Sequence, residues 1–398
     1  MKLLCYLPTP GGLTGAPRRL LTLAEELRKH GIDPVFVSDP GSELLSEAEN
    51  RGFETVAQTA SGILGLRGGA LLRGGVLFRL KLMLGLVRHN WHFYRCIRKV
   101  GADAVWTRAS KGFGFIGLGA WMSRRPVIWD VDYELPSRGV VRLLHRFGLF
   151  LSSAVIFQYQ QCGSEVFGEV LENKYRKKFY SLTPGIDCAR LEHISGVAAN
   201  NNGVSDLVGS GVKPFVILQV GTVCDRKNQS LTVDALARMD REHLPQPVRV
   251  IFAGGSCEQD YIRGLKEAVA AAGLNHVVEF PGWRDDVHQL MLQADLLVMP
   301  SKDEGVPNTV QEAMFFGLPV VVSDSGGMPD IVDHGNTGWV LSLDRVDDWA
   351  GLLELCVRSS EVVRLVGRNA SLFARENFGT VGWGTRYAEI VKSLVPRS

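Results

Sequence analysis

Short apolar runs alternate with longer stretches of helical periodicity along the chain. Positions 2–7, 34–38, 104–107, 126–131, 154–157 and 179–182 are runs of the kind buried on both faces of a parallel sheet. Between the first two, 17–30 sets Leu20, Leu23, Ala24 and Leu27 at helical spacing and stops at Gly31. A second helix, 43–51, is closed by Gly52. The pattern then restarts, with strands at 215–220, 248–253, 277–280, 295–299 and 319–323. Helices are expected at 229–239, 260–272, 309–316 and, shorter, 329–333, with Asn308 and Thr309 as caps of the third. Repeated strand–loop–helix units with no short internal period predict an α/β chain of two Rossmann-like domains, 1–185 and 186–379. A Gly-, Ser- and Asn-rich stretch at 194–212 reads as surface loop or linker.

A chain of 398 residues is long enough for two such domains. No run reaches the length of a spanning helix, and the N-terminus reads as a first strand rather than a signal peptide. The seven cysteines are scattered singly, which argues against a disulfide framework or zinc site and fits a reducing cytoplasm. Charge is uneven: residues 1–180 carry 25 Lys and Arg against 15 Asp and Glu, and residues 181–398 carry 19 against 27. The N-terminal half therefore suits an anionic partner. Its most basic segment, 67–99, holds eight Lys and Arg and no acid, interleaved with leucines and with Trp91, Phe93 and Tyr94. From about 75 to 100 this reads as one or two basic helices, either lying on a membrane surface or packed on the domain with a solvated face.

The candidate chemistry is concentrated in 300–341, PSKDEGVPNTVQEAMFFGLPVVVSDSGGMPDIVDHGNTGWVL. Strand, glycine loop and helix N-terminus form an arrangement that presents free N–H groups to phosphate. Glu304 and Glu312, eight positions apart, are placed to accept hydrogen bonds from sugar hydroxyls beside it. The loop at 9–15, containing Gly12, follows the first strand and is a second candidate element, or a plain tight turn. Asp130 and Asp132 are the only D-x-D, in the other half of the chain, so no metal requirement is expected.

The 300–341 string closely resembles the donor-binding signature of the retaining nucleotide-sugar glycosyltransferases of family 4, which have the GT-B fold of two facing Rossmann-like domains with a cleft between them. The resemblance covers nearly the whole chain but is specific only from about 215 to 341. It implies that Glu304 contacts the transferred sugar and Glu312 the ribose hydroxyls. Lys227 matches the family's phosphate-binding lysine after Gly221, but Thr222 stands where an arginine is usual. Arg226 is either its substitute or an exposed helix cap. Trp283 and Arg284 match the loop bordering the nucleobase, although a Trp plugging the core is a competing reading. Gly305 and the amides of Asn308, Thr309 and Val310 complete the implied donor site. The resemblance has the last helix, about 380–398, pack back on the first domain. It brings the loop around Gly12 to donor phosphate and acceptor. Asp132 falls at the position of a reaction-centre histidine.

The function implied is metal-independent, hexosyltransferase-type transfer from a UDP- or GDP-linked sugar to a glycan or lipid-linked acceptor in polysaccharide or lipopolysaccharide synthesis. No further cofactor and no nucleic acid are implied. The expected place is the cytoplasm, peripheral on the inner face of the membrane. The alternatives are a catalytically silent GT-B subunit that binds a partner transferase, or a nucleotide-sugar epimerase.

Overall fold

The apolar runs become strands of two separate parallel sheets. A computed structural model of the chain describes residues 1–8, 13, 15–58, 75–131, 139–200, 212–256 and 258–395. It separates into Met1–Gly185 with Thr380–Ser398, and Ile186–Gly379.

In the N-terminal unit the strands are β1 (Lys2–Tyr6), β2 (Asp33–Ser38), β3 (Glu54–Ala57), β4 (Ala104–Arg108), β5 (Val127–Val131), β6 (Ala154–Phe157) and β7 (Phe179–Ser181). They lie in the order β3-β2-β1-β4-β5-β6-β7. The connecting helices are α1 (Gly15–Lys29), α2 (Glu43–Asn50), α3 (Val76–Val100), α4 (Ala109–Met122), α5 (Gly139–Leu151), α6 (Cys162–Phe167) and α7 (Glu169–Tyr175). The basic segment is thus one continuous helix from Val76, its earlier residues Arg67 and Arg73 lying outside the described part. Sequence periodicity misses α4, whose glycines argue against a helix. Gly119 explains one of them: an added Cβ would overlap the Asn90 carbonyl, so α3 and α4 approach here only through glycine. The Asn90 side chain bridges the two helices, donating to Leu86 O (2.9 Å) and accepting from Gly119 N (2.9 Å).

The C-terminal unit holds β8 (Phe215–Val220), β9 (Val248–Ala253), β10 (Val278–Gly282), β11 (Leu296–Met299), β12 (Val320–Ser323) and β13 (Trp339–Leu341), in the order β10-β9-β8-β11-β12-β13. Its helices are α8 (Cys188–Asn200), α9 (Gln229–Arg238), α10 (Gln259–Ala271), α11 (Val287–Gln293), α12 (Asn308–Phe315), α13 (Val346–Arg358) and α14 (Ser360–Asn377). Counted from β8, the order is the doubly wound 3-2-1-4-5-6, which reverses direction between β8 and β11. Leu297 pairs with Leu218 on one side and Val320 on the other, and β11 and β12 are buried throughout.

Two expectations are corrected. The linker expected at 194–212 is helical through residue 200, because Asp187 caps α8 by accepting from Arg190 N (3.0 Å) and Leu191 is buried; 201–211 lie outside the described residues. The short helix expected at 329–333 is a turn. Ile331 N and Val332 N both donate to Met328 O (3.2 Å each), and Asp333 N then bonds Thr337 Oγ1 (2.9 Å), drawing the chain away.

The last helix, α15 (Thr380–Leu394), belongs to the N-terminal core. Tyr387, Ala388 and Val391 are fully buried, and the Tyr387 hydroxyl accepts from Trp106 Nε1 at 2.5 Å. Burying large side chains such as Tyr387 and Val391 contributes about 1.5–3 kcal/mol each, which helps hold the chain end on the first sheet.

His145 on α5 is buried against the rings of Trp129 and Phe167 (centroids 6.1 and 5.1 Å), and burial pushes its pKa down to about 4. Between that value and the unfolded value of about 6.5 the unfolded chain binds a proton that the folded chain refuses. Stability should therefore fall as pH drops through this window, by about 1–2 kcal/mol between pH 7 and 5. Urea midpoints at the two pH values measure the loss, and His145→Phe should reduce it. An unchanged pH slope in that variant would show that His145 does not set it.

Candidate functional site

The C-terminal unit gathers its polar residues where the sheet order reverses, beyond the carboxyl ends of β8 and β11. In open α/β sheets this crevice is the one place where two loops diverge from neighbouring strands and leave room for a ligand.

The loop after β8 ends in a single turn, Asp225–Lys227. Its backbone is fixed from below: Lys227 O accepts from Gln219 Nε2 (2.8 Å), and Gln219 Oε1 accepts from Thr232 Oγ1 (2.9 Å). The Lys227 Nζ lies 2.6 Å from Glu304 Oε1 and both side chains are mostly buried. Arg226 Nη1 reaches the same oxygen at 2.5 Å and also donates to Asp303 O (2.9 Å). Two cations therefore converge on one carboxylate oxygen. Arg226 is nonetheless the more exposed of the two, its side chain 46% accessible. Thr222 is exposed, and its carbonyl accepts from Gln229 Nε2 (3.2 Å). The loops after β8 and β11 are further joined by Lys302, whose N–H donates to Arg226 O (2.9 Å) and whose Nζ donates to Asp225 Oδ1 (2.6 Å).

Glu304 is held by its backbone as well. Gly326 has φ 61°, and a Cβ there would overlap the Glu304 carbonyl oxygen; Gly327 N donates to that oxygen and to Gly305 O (3.2 Å each). Any side chain at 326 would displace the backbone that carries Glu304. Ser325 Oγ donates to Lys302 O (2.7 Å) and Ser323 Oγ to Ser301 O (2.5 Å), so the loops after β11 and β12 form one supported surface.

Glu312 lies on a different network. On the second turn of α12 its Oε2 lies 3.2 Å from His288 Nε2, within hydrogen-bond distance, both side chains being partly buried. His288, at the start of α11, was not singled out by the sequence, where it is a lone histidine on a helix. It ties Glu312 to the loop that precedes α11. In that loop Trp283 is 77% exposed, with Nε1 donating to Asp285 Oδ1 (3.1 Å), so it is not a core plug. Arg284 makes a two-pronged contact with Asp286, through Nε at 2.7 Å and through Nη2, which holds the Asp286 carboxyl below its usual range.

Asn308 opens α12 instead of capping it. The extended residue before the helix is Pro307, whose fixed φ suits that position and whose side chain makes no capping hydrogen bond. Val310 is fully buried and its N–H donates to Pro307 O (3.1 Å). Gly12 and Asp132 lie outside the described residues. Among the described residues, no group of three or more His, Cys, Asp or Glu is placed to hold a metal ion, and no helix is long and apolar enough to cross a membrane.

The fold agrees with that of solved structures to which the chain is similar. Residues 207–372 match the family model of glycosyl transferases group 1. A D-inositol 3-phosphate glycosyltransferase of Jonesia denitrificans is 29% identical over 192 residues, 47% of this chain and 45% of that protein. The match thus spans less than half of that relative. The UDP-Gal:alpha-D-GlcNAc-diphosphoundecaprenol alpha-1,3-galactosyltransferase of Escherichia coli is 23% identical over 290 residues, 69% of this chain and 71% of that protein. Among solved structures, Anabaena HepE in complex with UDP superimposes with a TM-score of 0.76 at 22% identity, over 99% of this chain and 100% of that one. WaaG, a glycosyltransferase involved in lipopolysaccharide biosynthesis, gives 0.64 at 16% identity, over 98% and 99%. The chain has the GT-B fold, and its residues 207–372 are similar to the group 1 glycosyl transferases.

Proposed function

We propose that the protein is a metal-independent, retaining hexosyltransferase that moves a sugar from a UDP- or GDP-linked donor to a glycan or lipid-linked acceptor in cell-surface polysaccharide or lipopolysaccharide synthesis. The observation that carries this reading is the convergence of Arg226 and Lys227 on Glu304 at the reversal point of the second sheet. Cleaving the bond between an anomeric carbon and a diphosphate leaves charge on phosphate, and two cations on neighbouring backbone atoms are suited to receive it. The Glu304 carboxylate occupies their donors as an internal anion and turns to the sugar when the diphosphate takes its place. Glu312 receives the ribose hydroxyls, with His288 fixing its orientation. Exposed Trp283 is available to stack on the base.

The choice of UDP is supported by the nucleotide held by the HepE structure, and that of a lipid-linked acceptor by the diphosphoundecaprenol substrate in the Escherichia coli relative's name. The acid-free helix α3, with the earlier basic residues from Arg67, docks the protein on an anionic inner membrane face.

The test is transfer by the purified protein from UDP- and GDP-hexoses to a diphosphate-lipid acceptor with a chelator present, reading the product anomer by NMR. Transfer with retention supports the reading. A strict need for added divalent metal, or an inverted product, contradicts it. Glu312→Ala should weaken UDP binding by about 10–100-fold, as expected for losing hydrogen bonds to an ionised group worth about 1.5–3 kcal/mol. Calorimetric titration checks this, and unchanged affinity would remove Glu312 from the site.

A further inference from the structure

The N-terminal unit presents an apolar surface that donor chemistry does not use. On α3, Leu77, Leu80, Leu84 and Val87 are exposed, Leu84 by 65%. On α5, Leu143, Phe147 and Phe150 follow at helical spacing and are exposed as well, while His145 and Leu149 on the opposite side are buried. The helix α4 packs against both. Over it, between α3 and α5, opens a cavity of about 350 Å³ lined by Met83, Val87, Phe113, Leu144 and Phe147, with Trp129 of β5 beneath. The one amide in its wall, Asn90, is already bonded to backbone of α3 and α4. The same two helices carry the exposed cations Lys81, Arg88, Arg142 and Arg146, and neither α3 nor α5 contains an acid.

An apolar trough of ligand-pocket size inside an exposed apolar patch marks a binding surface. An apolar groove between two helices that carry only positive charge fits one kind of molecule, an amphiphile with an anionic head. We propose that this groove takes up an acyl chain of an anionic membrane phospholipid, with the head group met by the exposed cations of α3 and α5. The docking surface is then built by two helices, α3 and α5, and the groove adds lipid capture to electrostatic attraction. This rests on the membrane-facing part of the proposed function, and the experiment separates the two.

Gly114 of α4 lines the groove, and a Cβ built on it meets nothing within 4 Å. Gly114→Leu therefore adds a side chain that starts in open space and projects from a groove-lining position, and leucine suits a helix better than glycine does. The probe is a short-chain phosphatidylglycerol with brominated acyl chains, held below its micelle concentration and read by quenching of tryptophan fluorescence in the full chain. Wild type should show saturable quenching, and Gly114→Leu should weaken it by about tenfold or more with the unfolding midpoint and UDP affinity retained. Phe147→Ser, at an exposed position, should weaken it similarly and serves if the first variant misfolds.

Flotation with anionic vesicles at low salt reports the surface reading alone, so wild type that ignores vesicles contradicts that reading. Vesicle binding without quenching by the monomeric lipid, or equal quenching of wild type and Gly114→Leu, overturns the groove. Binding of a polyprenyl phosphate in place of the phospholipid also overturns it, since the occupant would then be the acceptor's own tail.

Discussion

Glu304→Gln is expected to reduce sugar transfer by about 10²–10³-fold, the range found when one group that stabilises developing charge is removed. UDP affinity should stay within a few-fold of wild type, or tighten. The reason lies in the two contacts to Glu304 Oε1, from Lys227 at 2.6 Å and Arg226 at 2.5 Å. On the proposed reading the carboxylate competes with phosphate for the same donors, so a neutral amide releases them. In the reacting complex the positive charge that builds on the sugar ring loses its neighbouring anion. Comparing kcat with the calorimetric Kd for UDP separates the two effects, and parallel loss of both in a folded variant would refute the division of roles.

Lys227→Ala should lower turnover by a similar factor, about 10²–10³-fold, with a smaller loss of UDP-sugar affinity. Charge on the departing phosphate grows toward the transition state, so the lysine binds that state more strongly than the ground state. On the proposed reading Arg226 substitutes only in part, because its side chain is nearly half exposed, whereas Lys227 is only 12% exposed, and screening weakens the outer cation. A kcat unchanged by Lys227→Ala would assign the leaving group to Arg226 and the α12 amides.

Much of this was legible in the sequence because buried parallel strands leave short apolar runs, and glycines such as Gly31, Gly52 and Gly317 end their helices in the positive-φ conformation. The 300–341 string carried the site for a related reason: Gly326 is forced by the backbone of Glu304, so pattern and geometry coincide. What escaped was set by tertiary contact. The helix α4 carries glycines that no local rule allows, and Gly119 is there for the approach of α3. The strand β3 is an edge strand with partly exposed residues and a weak apolar pattern. His288 becomes meaningful only once α11 and α12 place it against Glu312. The outward apolar face of α5 looks in sequence like an ordinary core-facing stripe.

The central claim is that the cation pair at the reversal point of the second sheet binds the donor's diphosphate. Titration of UDP into the full-length wild type and into the Arg226→Ala/Lys227→Ala double variant, both with a chelator present, tests it most directly. Two charged hydrogen bonds at about 1.5–3 kcal/mol each predict a loss of affinity of about 10²–10⁴-fold, with the fold retained. Equal affinity in the two proteins, or wild-type binding that appears only on adding a divalent metal, would contradict the account.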